Sequence, residues 1–182
     1  MNNSWKVAVF AVLAASVGSD AMASSAGRCG GTGGNSTKTL TCPSGQYVVG
    51  IGARGGLFVD EFSLACQKIP VNGQPGTRGS FKSAGPGGGT KADSDFCDAG
   101  QAMSTIRVKS GAVVDRVSEG RCYPREGDGW KLQRSGGSIA TVKVGGAGGG
   151  ECDLECPAGE ALYKVTVKYG GVIDSLRGEC RK

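Results

Sequence analysis

The sequence predicts an all-β domain of three four-stranded sheets, related by a pseudo-threefold axis and stapled by disulfides. Three observations carry that expectation. One segment occurs three times, its apolar residues alternate with period two, and all eight cysteines follow an export signal.

The first residues read as an address. Met1 to Lys6 is a short basic n-region, Val7 to Val17 an apolar run, and Ala21, Met22 and Ala23 the small-x-small pattern that signal peptidase reads. The run is shorter than the roughly 20 residues that span a bilayer. Cleavage is therefore expected after Ala23. Residues 24–182 remain as one domain, secreted or periplasmic, with no membrane insertion.

Within that domain each copy opens on C-x-x-G at Cys42, Cys97 or Cys156 and closes on Cys66, Cys122 or Cys180. The copies run over about 24–66, 80–122 and 138–180. Inside each, Ile51 and Ala53, Ile106 and Val108, and Val165 and Val167 share one face of a strand. Arg54, Lys109 and Lys168 share the other, wet face. A glycine turn follows, and then a second strand in which Val59 and Phe62, Val114 and Val117, and Ile173 and Leu176 flank an aspartate. Strand, turn and strand make a hairpin.

The centre of each cysteine span falls within about two residues of the glycine turn. Paired hairpin strands would bring the two cysteines together, so Cys42–Cys66, Cys97–Cys122 and Cys156–Cys180 are the expected bridges. Cys29 and Cys152 then pair by elimination. A metal site is not expected, because the close pair Cys152 and Cys156 has no matching second pair. No cofactor motif occurs either.

Glycine accounts for 34 of the 182 residues and gathers in blocks ahead of each copy: Gly30 to Gly34, Gly85 to Gly89 and Gly145 to Gly150. Short strands are expected before the later blocks, over Ser80 to Ala84 and Ser138 to Val144. Gln67 to Gly79 and Tyr123 to Gly137 read as surface loops. Each unit then holds four strands with one apolar face. Turning the three faces toward a common axis gives a triangular prism; a three-bladed propeller and a β-trefoil are the other threefold arrangements.

The net charge of +5 is mild and its basic residues are scattered, which gives no reason to expect nucleic acid as a partner. The chain has no histidine. Catalysis would have to come from paired carboxylates, and Glu151, Asp153 and Glu155 share one short segment with no evident partner across a cleft. Asp93, Ser94 and Asp95 are too few for a calcium loop. The chain is not expected to be an enzyme.

The glycine blocks together with G-x-x-x-D resemble the jacalin-related lectins, whose fold is the β-prism. The motif stands at Gly56 to Asp60, Gly111 to Asp115 and Gly170 to Asp174. Equipping all three copies is similar to the griffithsin type of that family. The C-P-x-G opening and the bridged repeats are similar to vitelline membrane outer layer proteins.

The resemblance implies a secreted carbohydrate-binding protein whose partners are glycans, mannose-type or acidic. Each aspartate would accept hydrogen bonds from sugar hydroxyls, and backbone N–H groups of the turn and of a glycine block would donate. It further implies that Asp174 works with Gly31, Gly33 and Gly34, Asp60 with Gly87 and Gly88, and Asp115 with Gly146 and Gly148. The turn glycines Gly56, Gly111 and Gly170 complete the three sets.

Family members often carry an aromatic residue two places before the aspartate. Here those places hold Phe58, Val113 and Val172, which ranks the Asp60 site first. Trp130, in an expected loop, either walls a site or packs as an ordinary residue. The competing reading is a structural coat or matrix protein of the same fold, in which the aspartates only cap backbone N–H groups near the turns.

Overall fold

The computed structural model describes residues 22–71, 74–127, 129–130 and 137–182. The expected signal sequence, with its apolar run, lies outside the described residues except for Met22 and Ala23. Among the described residues there are only strands. β1 (Ser24–Gly30) and β2 (Ser36–Thr41) flank the first glycine block, and β3 (Gln46–Gly55) and β4 (Val59–Lys68) form the first hairpin. The pattern recurs as β5 (Lys82–Ala84), β6 (Lys91–Phe96), β7 (Gln101–Ser110) and β8 (Val114–Glu126). After the two-residue strand β9 (Gly129–Trp130) it recurs again as β10 (Ser138–Gly145), β11 (Gly150–Glu155), β12 (Ala161–Tyr169) and β13 (Ile173–Arg181).

The three hairpins share one irregularity. Their registers skip one residue at Val49, Ser104 and Tyr163, each an extra residue bulged out of the leading strand. The carbonyls of these bulge residues each accept one cysteine N–H at 2.8 Å, Val49 from Cys97, Ser104 from Cys156 and Tyr163 from Cys42. Equivalent bonds at equivalent places establish the pseudo-threefold symmetry.

The repeat in sequence is not the sheet in space. The first sheet runs β1-β13-β12-β2, the second β5-β4-β3-β6, and the third β10-β8-β7-β11 with β9 added outside β8. Each hairpin is thus flanked by the strands on either side of the next glycine block, and the last hairpin takes those of the first. Each copy holds four strands as expected, but its flanking pair and its hairpin lie in two different sheets instead of one. Hairpins and flanking strands alternate along the chain, and the local pattern does not distinguish a flanking strand that joins its own hairpin from one that joins the preceding hairpin.

The apolar faces turn inward as a prism. Ile51, Phe62 and Leu64 from the second sheet, Ile106, Val108 and Val117 from the third, and Val165, Val167 and Leu176 from the first are buried in one cluster. Full burial of such side chains is worth about 1.5–3 kcal/mol each.

The swap changes what the disulfides do. The bridges are Cys42–Cys66, Cys97–Cys122, Cys156–Cys180 and Cys29–Cys152, the pairs that spacing and elimination pointed to. The reason given for the first three does not hold. Cys66 lies opposite Val48 in its hairpin, Cys122 opposite Met103 and Cys180 opposite Leu162. Cys42, Cys97 and Cys156 instead follow β2, β6 and β11 at the edges of neighbouring sheets. Three bridges therefore link the sheets in a closed ring, and Cys29–Cys152 adds a second tie between the first and third.

Three seams separate the sheet edges, and each is closed by different chemistry. The seam between β1 and β11 holds the Cys29–Cys152 bridge. Between β6 and β10, Asp95 accepts the Thr141 N–H at 2.8 Å and Asp93 the Lys143 N–H at 3.1 Å. Between β2 and β5, Lys82 Nζ donates to the Thr41 carbonyl at 3.1 Å.

Three expected boundaries move. The strand over Ser80 to Ala84 begins only at Lys82, and the loops expected from Gln67 and from Tyr123 both start as strand. Tyr123 pairs with Ala102, and Arg125 with Trp130. What draws the chain in is Trp130, buried edge-on against Tyr47 with ring centroids 4.7 Å apart. It packs with Val49, Ile69, Ala102 and Ala161 in a second cluster, so it is a core residue and not the wall of a sugar site.

Candidate functional site

The hairpin turns place the aspartates. In each, the N–H of Gly56, Gly111 or Gly170 donates to the carbonyl two residues on, in Phe58, Val113 or Val172, at 2.9–3.0 Å. The tight turn delivers Asp60, Asp115 and Asp174 to the start of the returning strands β4, β8 and β13. Bonding within the turn also uses up those glycine N–H groups. Gly56, Gly111 and Gly170 therefore shape the turn and do not offer donors to a ligand, which corrects the expectation for these three. The N–H groups of the two residues after each of these glycines make no hydrogen bond among the described residues: Leu57 and Phe58, Ala112 and Val113, Gly171 and Val172. The family resemblance implies donors in this turn, but among these residues the sequence marks only Phe58 as a site residue, for its ring. The G-x-x-x-D spacing contains the others, but nothing in their side chains marks them.

Each glycine block closes over the aspartate of another repeat. The block from Gly30 to Gly34 meets Asp174, that from Gly85 to Gly89 meets Asp60, and that from Gly145 to Gly150 meets Asp115. The fit leaves no room for side chains. A Cβ on Gly34, Gly89 or Gly149 would sit 2.6, 2.7 or 2.5 Å from the Oδ2 of its aspartate, and all three have positive φ, at 76°, 73° and 68°.

The three sets are not equal. The N–H groups of Gly31 and Gly146 donate to the main-chain carbonyls of Asp174 and Asp115 at 2.9 Å, and Gly146 also reaches the Leu57 carbonyl. Those two amides are spent on the backbone, a second correction to the expected donors. At the equivalent place the second block has Pro86, which has no N–H. A Cβ on Gly33 or Gly148 would lie 2.3 or 2.7 Å from the aspartate Oδ1, whereas Gly87 and Gly88 have nothing within 4 Å of that position. The Asp60 site is the open one. Beside it stand Leu57, 80% exposed, and Phe58, 42% exposed.

The carboxylates of Asp60, Asp115 and Asp174 make no hydrogen bond or ion pair among the described residues. Asp60 and Asp174 are half-buried. Asp115 is 8% exposed, yet its oxygens are not among the enclosed polar atoms that lack partners. The N–H groups of Gly33, Gly34, Gly87, Gly88 and Gly148 also make no bond among the described residues. Each site therefore sets a bare carboxylate beside bare main-chain donors, a pattern that suits a ligand presenting several hydroxyls.

Basic side chains brace the Asp174 site. Lys168 Nζ donates to the Thr32 carbonyl at 2.7 Å, and Arg28 donates to the Gly31 carbonyl. The three sites also touch one another. A Cβ on Gly31 would run into the Ala112 carbonyl of one neighbouring turn, Gly146 bonds to Leu57 of another, and a Cβ on Gly85 would meet Ile173 Cδ1 at 3.0 Å. They form a ring at one end of the prism.

Of the other acidic candidates, Asp153, Asp93 and Asp95 have structural roles. Arg107 holds Asp153 through two hydrogen bonds of 2.8 Å, and this pairing keeps the Asp153 carboxyl below the usual carboxylate range despite partial burial. Asp93 and Asp95 close a seam, as described above.

The sequence matches no family model and no curated protein. The fold does match solved structures. Malaysian banana lectin aligns at a TM-score of 0.59 and 12% identity, covering 88% of this chain and 97% of that one. Calsepa lectin, in complex with a biantennary N-glycan, aligns at 0.57 and 13%, covering 88% and 96%. AcmJRL, a mannose-binding jacalin-related lectin from Ananas comosus, aligns at 0.53 and 15%, covering 87% and 97%. The fold is thus the all-β prism of the jacalin-related lectins.

Proposed function

We infer that this protein binds carbohydrate, outside the cytoplasm, through the ring of three sites at one end of the prism, and that it acts as a binder without catalysing a reaction. The observation that carries this reading is the set of three carboxylates with no partner among the described residues, each against the glycine backbone of another repeat. A carboxylate that served only to cap the turn would accept N–H bonds from it. These accept none among the described residues, which favours the lectin reading over the coat or matrix reading.

The chemistry agrees. An ionised carboxylate offers two strong acceptors to vicinal hydroxyls, while free amides of the turn and block donate back. Four disulfides suit an exported protein, because such bridges persist in oxidising compartments. Mannose-type sugars are the class to try first, since AcmJRL is described as mannose binding. The Lys168 and Arg28 ammonium and guanidinium groups at the Asp174 site make acidic glycans the second class.

A glycan array of wild type against Asp60→Asn, Asp115→Asn and Asp174→Asn tests the proposal. Hydrogen bonds to a charged group are worth about 1.5–3 kcal/mol, so each change should weaken its site by roughly 10–100-fold. Melting should stay almost unchanged. Wild type that retains no glycan at all would remove the proposal in favour of the coat reading.

A further inference from the structure

The three outer sheet faces should be alike if only the fold shaped them, and one is not. At corresponding register positions the third sheet carries Arg107, Glu119 and Asp153, tied together by ion pairs. The first carries Thr166, Arg177 and Thr39, with the two threonine hydroxyls 3.3 Å apart. The second carries Gly52, Ser63 and Ser94. Small side chains there leave an open trough of about 290 Å³ where its counterparts are filled.

The trough is furnished. Phe81 walls it, tilted against Phe96 with ring centroids 5.0 Å apart, and Phe96 is in turn covered by the Arg78 guanidinium at 4.8 Å. Arg54 and Glu61 stand across from each other toward the Asp60 end. The side chains of Arg54, Glu61, Ser63 and Ser94 make no hydrogen bond or ion pair among the described residues. The trough thus combines a fixed aromatic face, one free carboxylate, one free guanidinium and two free hydroxyls. Donors and acceptors are both present, and with Asp93 also lining the trough its carboxylates outnumber its one guanidinium, which suits a neutral polyhydroxylated ring better than an anion.

Its position points to what fills it. Glu61 directly follows Asp60, and Ser63 lies three residues along the same strand, about 10 Å away at the usual strand rise. We propose that the trough on the second sheet is an extension of the Asp60 site, so that this site takes a neutral oligosaccharide whose first residue sits at Asp60 and whose later residues run down β4 toward Phe81. The inference rests on the carbohydrate reading of Asp60. It distinguishes this site from the other two, whose sheets carry larger side chains at the corresponding register positions.

Calorimetry on the full chain carrying Asp115→Asn and Asp174→Asn tests it, with methyl mannoside and a linear mannose trisaccharide as probes. The trisaccharide should bind about tenfold more tightly than the monosaccharide. Adding Ser94→Arg, which fills the trough, or Phe81→Ala, which removes its wall, should erase that advantage and leave methyl mannoside binding unchanged. The arginine variant guards against loss of packing at Phe96. Equal affinity for the two sugars, or an advantage that survives Ser94→Arg, would overturn the extension while leaving the Asp60 site standing. Binding of neither sugar would overturn the extension, and the glycan array decides the carbohydrate reading separately.

Discussion

Asp95, on the edge strand of one sheet, accepts the backbone N–H of Thr141, on the edge strand of the next, at 2.8 Å. Asp93 repeats the contact to Lys143 two residues on. A carboxylate ladder thus does for this seam what a disulfide does for the one between β1 and β11. It also covers unpaired edge groups of β10, which would otherwise be open to pairing with another chain.

Removing the ladder should open the seam locally. Asp95→Ala leaves the Thr141 N–H without its acceptor, at a cost of about 1–3 kcal/mol. Amide exchange at Thr141 and Lys143 should speed up, while amides in the β12–β13 hairpin keep their protection. Uniform loss of protection across all three sheets would show that the seam does not open on its own.

The disulfide ring gives a graded expectation. Cys29→Ser with Cys152→Ser removes the duplicate tie between the first and third sheets and leaves the ring closed. Cys156→Ser with Cys180→Ser removes the ring's own link between the same sheets and leaves the duplicate. Each change should lower stability by about 2–4 kcal/mol without abolishing the fold. Taking out both bridges should cost more than the sum, because the two restrain the same pair of sheets. Guanidinium unfolding midpoints of the two double variants and the quadruple variant measure this, and strict additivity would count against the ring.

The Arg107–Asp153 pair sets a pH dependence. Its hydrogen bonds to Arg107 lower the folded-state pKa of Asp153. The stabilisation is therefore complete above the unfolded carboxyl value, near 4, and is lost as pH falls through the lower folded value. For a half-buried pair the effect is about 1 kcal/mol. Asp153→Asn should accordingly be less stable than wild type at pH 7 by that amount, and the gap should close toward pH 2. A gap that widens in acid would reverse the sign argued here.

Much of this architecture is legible in the chain. Period-two alternation places Ile51, Ile106 and Val165 in the core, and the C-x-x-G spacing locates the hairpins. Which hairpin a flanking strand joins is not legible, because β2 carries no side chain that tells β3 from β12. The cysteine pairs followed from spacing although the expected contact across each hairpin does not exist; bridging within a repeat and bridging between sheets require the same partners. The match of Asp174 with the first glycine block came from the family resemblance, not from local pattern. Pro86 and the trough emerge only by comparing the three sheets residue by residue, which needs the register. Asp93 and Asp95 make long-range contacts to main-chain groups, and such contacts leave no trace in spacing.

Two neighbouring glycines separate the site's geometry from the stability of the fold. Gly33 lacks a positive φ, and a Cβ there would meet only the Asp174 side chain, with Oδ1 at 2.3 Å. Gly34 has φ of 76°, and its Cβ would also press on the Tyr169 backbone at 2.8 Å. Alanine at Gly33 can be accommodated by swinging the carboxylate aside, so Gly33→Ala should leave melting nearly unchanged while impairing any ligand held at Asp174. Alanine at Gly34 strains main chain on both sides, and Gly34→Ala should cost more than about 1 kcal/mol. Gly88→Ala supplies the counterpart, since it strains a φ of 108° but meets nothing within 4 Å, so it should lower stability with little effect on the Asp60 carboxylate. Thermal melts beside glycan titrations of the three variants test this directly. A Gly33→Ala protein that keeps full binding at an otherwise isolated Asp174 site would show that the carboxylate position seen here is not the one that matters.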